Sequence, residues 1–141
     1  SARLGNLAVP TDSDIANPQQ ALTDYLIRIA KNAREEPHQM SLLMRELLDN
    51  QEQADIVQSW YLGSFLKELV QMLKAVEHWS NIPDHVALAT IMQFLGAINY
   101  YAVSGPTLKG IFGNDVYSAL DDQFEDELEQ LVSAAISSRG S

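Results

Sequence analysis

Residues 84–104 read Asp84-His-Val-Ala-Leu-Ala-Thr-Ile-Met-Gln-Phe-Leu-Gly-Ala-Ile-Asn-Tyr-Tyr-Ala-Val-Ser104, and no charged residue follows His85 until Lys109. Wound at roughly 100° per residue, the stretch puts Leu88, Ile91, Leu95, Ile98 and Ala102 on one apolar face. The opposite face carries Val86, Thr90, Gln93, Phe94, Ala97, Tyr101 and Ser104. A helix with no charged face is buried on more than one side. One side packs on the chain's own core; the other needs a second cover. Left in water, Phe94, Tyr100 and Tyr101 would expose more apolar surface than soluble monomers usually carry. The helix therefore reads as the seam of a dimer.

The flanking sequence is helical too. Residues 1–16 form an irregular lead-in with Gly5 and Pro10. Asn17-Pro18 is a start signal, a capping side chain followed by proline at the first helical position. Leu22, Tyr25, Leu26, Ile29 and Ala33 then follow the spacing of one buried stripe, as far as Glu35-Glu36. Pro37 ends that helix, because it disfavours helical geometry in the residue before it. It also opens a shorter helix with Met40, Leu43, Met44, Leu47 and Leu48 on one side, stopped by Asp49-Asn50.

A long helix is expected from about residue 54 to residue 79. Its stripe is Tyr61, Leu62, Phe65, Leu66, Leu69, Met72, Leu73 and Val76, with Lys67, Gln71, Lys74 and His78 in water. Asn81-Ile82-Pro83 turns the chain into the central helix. Residues 105–115 read as a Gly-rich connection with room for one short helical turn. The last helix, about residues 115–138, is expected to bury Tyr117, Leu120, Phe124, Leu128, Leu131 and Ala135, and to show Asp122, Glu125, Asp126 and Glu129 outward. No segment alternates with period two. The fold class is all-α, a bundle of about five main helices in one domain over residues 17–138; residues 139–141 read as a tail left by expression.

Composition narrows the function. The net charge of −10 repels phosphate backbones and anionic headgroups, so these residues do not themselves bind nucleic acid or membrane. The uncharged run is interrupted by Thr90, Gln93 and Asn99 and does not read as a bilayer span. No signal peptide is visible, and the absence of cysteine excludes disulfides and thiolate metal sites; both fit the cytoplasm.

Catalytic chemistry is not legible. His38, His78 and His85 form no metal-ligand pair on one helix. Glu35-Glu36-Pro37-His38 holds one Glu-x-x-His, but Pro37 interrupts its helix and a di-iron bundle needs a second such motif. No nucleophile triad, phosphate loop or dinucleotide fingerprint appears, so no cofactor is expected. Asn99, beside the core face, must find a partner, because an unpaired buried amide costs about 1–3 kcal/mol. That partner is either another protein group or a ligand in a cavity. The methionines at 40, 44, 72 and 92 suit either plain core or an adaptable apolar pocket. Trp60 lies off its helix's stripe, covered either locally or by a partner.

The run Met92-Gln93-Phe94-Leu95-Gly96-Ala97-Ile98-Asn99-Tyr100-Tyr101-Ala102-Val103-Ser104, then Gly105-Pro106-Thr107-Leu108 and Ile111-Phe112-Gly113, resembles the penultimate helix and its exit in TetR-type transcriptional regulators. Arg45-Glu46-Leu47-Leu48-Asp49 and Trp60-Tyr61-Leu62 with Phe65-Leu66 resemble the regulatory domain of the same family. The resemblance covers residues 21–136. It implies an all-helical effector-binding domain of a repressor, whose last two long helices pair with their copies as a four-helix-bundle homodimer. On that reading Phe94, Ala97, Tyr101, Phe124, Leu128 and Leu131 form the dimer interface. Tyr25, Met44, Phe65 and Met92, with Asn99 as polar contact, line a cavity for a small apolar or amphipathic effector. DNA would be read only through an N-terminal helix-turn-helix head, which residues 1–16 cannot supply. The alternatives are a stand-alone dimeric interaction module without effector and, more remotely, a metal-bundle enzyme.

Overall fold

The computed structural model describes residues 17–36, 38 and 56–138, with backbone only for 56–62. The expected second helix, with Met40 and Met44, lies outside them, as does the side chain of Trp60. The described residues form four α-helices and no strand: α1 (Pro18–Glu35), α2 (Ile56–Lys74), α3 (Asp84–Phe112) and α4 (Asn114–Ser138), with a 3-10 turn at Glu77–Trp79. The all-α fold read from the sequence is the fold of the protein.

Helix α1 forms where its signals stand. Asn17 caps it, its side chain accepting from the Gln20 amide at 3.3 Å, with Pro18 opening the first turn. All five residues of its expected stripe are buried. It packs against α2, α3 and α4. Helix α2 ends at Lys74, earlier than the spacing predicts, and Val76 adopts an extended backbone before the 3-10 turn. That break drops Trp79 into the core, fully buried. The Trp79 Nε1–H donates to the carbonyl of Ile136 at 3.0 Å, and His78 Nε2 lies 2.8 Å from the same oxygen. Ile136 belongs to the last turn of α4, whose carbonyls have no helical donor, so this contact caps the helix from outside.

Residues 105–112 are helical, which corrects the expected connection after Ser104. Pro106 sits inside α3. It removes one N–H from the ladder and leaves the carbonyl of Ala102 without its partner four residues on. Burial of Gly105 beneath α4 accompanies the continuation: a Cβ there would meet the Tyr117 hydroxyl oxygen at 2.7 Å. The helix ends one turn later at Gly113. Its φ of 88° lies in the left-handed region that glycine favours, and its N–H bonds the carbonyl of Lys109 at 2.9 Å. One residue thus reverses the chain, and α3 and α4 form an antiparallel hairpin.

Continuation to Phe112 bears on the expectation that no segment reads as a bilayer span. Among the described residues α3 alone has that length and apolarity, with a mean hydropathy of 1.5 in its most apolar window. This is weak evidence for spanning, because α1, α2 and α4 all pack on the helix and core helices share that composition.

Candidate functional site

Burial along α3 sets where a partner could bind. Ala87, Ile91, Phe94, Leu95, Ile98, Tyr101, Ala102 and Gly105 point into the chain's own core. Phe94, expected at a dimer seam, is 1% exposed. Tyr101 is buried too, its ring stacked on Phe124 with centroids 4.0 Å apart and planes 9° from parallel. Leu128 is buried in the same core, and Ala97 and Phe124 are half-covered. Phe94, Tyr101 and Leu128 therefore serve intramolecular packing and are not open to a partner. Leu131 differs from the expected stripe as well: it is exposed, and its neighbours Val132 and Ile136 are the ones turned inward.

The uncovered face of α3 lies elsewhere on the cylinder. Leu88, Met92, Gly96 and Tyr100 succeed one another at four-residue steps and are all exposed, Tyr100 at 73%. Four-residue steps make one continuous ridge along a helix, the element that packs into the groove of another. The ridge contains no charged group. Gly96 sits near its middle with nothing within 4 Å of where a Cβ would project. Glycine inside a helix costs about 1 kcal/mol relative to alanine, and no contact within the described chain explains it. A helix lying across this point would. Ile111, Phe112 and Val116 add exposed apolar surface at the hairpin's end, and Leu131 adds it on α4.

The expected effector residues are only partly brought together. Tyr25 and Phe65 meet edge-on in the core, ring centroids 6.4 Å apart. Burial and the nearby Glu68 carboxylate push the Tyr25 phenol above its usual pKa, with Arg28 working the other way. Met92 is half exposed on the outer ridge and therefore does not join the Tyr25–Phe65 pair. Asn99 is half-buried two turns further along that side of the helix, without a side-chain hydrogen bond among the described residues. Met44 lies outside the described residues.

A polar cluster joins α1, α3 and α4 near the hairpin's end. Arg34, in the last turn of α1, donates from Nη1 to the Asp121 carbonyl at 3.0 Å and from Nη2 to Glu125 Oε2 at 2.7 Å. Its Nη1 also lies 3.5 Å from Asp121 Oδ2, and Lys31 reaches Glu125 at 3.6 Å. Glu125, expected to face water, thus holds α1. The Tyr101 hydroxyl donates to Asp121 Oδ1 at 2.6 Å. Burial first, then that bond to a carboxylate, raises the Tyr101 phenol far above its usual range. Beside this cluster is a cleft of about 290 Å³ bounded by Arg34, Tyr101, Ala102, Gly105, Pro106, Lys109 and Tyr117. Among the described residues no His, Asp and Glu are grouped to hold a metal ion.

Comparison with protein-family models, with characterised protein sequences and with solved structures finds no match to this chain.

Proposed function

We propose that this chain is the effector-binding and dimerisation domain of a TetR-type transcriptional regulator, acting as a repressor in the cytoplasm and pairing through the Leu88–Met92–Gly96–Tyr100 ridge. The observation that carries the dimer is that ridge: an uncharged exposed face on a helix whose other side is core, with a glycine at its middle. Two copies related by a two-fold axis would lay ridge against ridge, as self-complementary interfaces do. The penultimate helix is also where the sequence resemblance puts the subunit contact. DNA would be read by a basic head outside this chain, because the −10 charge here opposes a phosphate backbone. Effector binding would shift the spacing of two such heads, a change of population between states of different operator affinity.

The intact mass of the polypeptide isolated from its own host tests the regulator. A product larger than 15.7 kDa with a basic N-terminal segment is expected; a product of that mass would contradict it. The contact of Tyr25 with Phe65 favours a second reading, an interaction module with the same ridge and no effector. A saturable thermal shift with apolar ligands separates the two, since only a protein with a binding site gains stability from ligand.

A further inference from the structure

We infer that the cleft at the α3–α4 end of the bundle binds a compact aromatic carboxylate carrying a hydroxyl or N–H donor. The site is separate from the Tyr25–Phe65 pair and does not depend on the regulator reading. Its volume, about 290 Å³, is at the small end for ligand sites and suits a single-ring compound. Tyr101 and Tyr117, near-parallel with centroids 6.5 Å apart, give it aromatic walls.

Two groups in the cleft can take a ligand. Pro106 has no N–H, so the Ala102 carbonyl lacks its helical donor and can accept from a ligand. Lys109 Nζ lies 5.9 Å from the Tyr117 ring centroid and forms no ion pair among the described residues. Arg34 is the weaker candidate for an anion, because Asp121 and Glu125 already engage it. A ligand anion therefore goes to Lys109, its donor to Ala102 and its ring against Tyr117. Gly105 seats the Tyr117 wall, since a Cβ there would strike the Tyr117 hydroxyl.

Calorimetric titration of the whole chain with 4-hydroxybenzoate, benzoate and 4-hydroxybenzyl alcohol tests the assignment, with protein NMR locating the site. Saturable binding of 4-hydroxybenzoate is expected, with the neutral alcohol about tenfold weaker, the size of one charge-assisted hydrogen bond. Lys109→Ala should weaken the anion by about tenfold and leave the alcohol unchanged. Pro106→Ala restores the helical donor to Ala102 and should remove the preference for 4-hydroxybenzoate over benzoate. No saturable binding by the folded wild-type chain, or unaltered anion affinity in Lys109→Ala, overturns the proposal.

Discussion

Tyr101 and Asp121 are joined by a 2.6 Å hydrogen bond that fastens α3 to α4, and Arg34 of α1 reaches the other oxygen of the same carboxylate. Three helices therefore meet at one side chain. The phenol ring is buried and stacked on Phe124, which holds its hydroxyl toward Asp121. Tyr101→Phe keeps the ring and removes the donor. A loss of about 1–2 kcal/mol is expected in urea unfolding, since the acceptor is charged but keeps Arg34.

The same phenol sets an alkaline limit. Burial holds Tyr101 and Tyr25 protonated above the pH where free tyrosine ionises. Above about pH 10 the unfolded chain releases protons that the native chain retains, so stability falls as pH rises. Below that pH both states are protonated and the contribution is fully present. Unfolding free energies measured from pH 8 to 11 should decline for the wild type and decline less for Tyr101→Phe.

Phe94 and Met92 stand two residues apart on α3 and should behave oppositely. Phe94→Ala empties a core position and should cost about 3–5 kcal/mol. Met92→Ala should cost less than about 1 kcal/mol at concentrations where the chain is monomeric. Thermal denaturation of both variants reads the difference. Equal effects would mean that the burial of α3 is rotated from the arrangement described.

Trp79→Phe should cost about 1–3 kcal/mol, from lost packing and from a weakened cap on the Ile136 carbonyl. His78 remains on that oxygen, so the loss should stay below that of emptying the site. Hydrogen exchange in the last turn of α4 should quicken alongside.

Much of the bundle was legible in the sequence, and α1 shows why. Its apolar residues sit on one stripe between charged ones, which fixes both the helix and its rotation. Helix α3 had no such reference. With apolar residues on every side its helical character could be read while its rotation could not, so Phe94 and Tyr101 were expected outside and Met92 inside. Only the packing of α1, α2 and α4 decides which side is covered. Pro106 misled for a related reason: local chemistry argues for a break, and the contact of Gly105 with Tyr117 lies twelve residues away. Glu125 was expected in water because its partner Arg34 lies far away in the chain. Gly96 was the available signal, an unexplained glycine inside a strong helix.

Sedimentation equilibrium of the wild-type chain and of Met92→Arg, with circular dichroism to establish folding, tests the central claim most directly. The ridge predicts a wild-type mass twice the 15.7 kDa of the chain, falling to the single-chain value in the variant while helix content is kept. A monomeric wild type, or a folded Met92→Arg that remains dimeric, would contradict it.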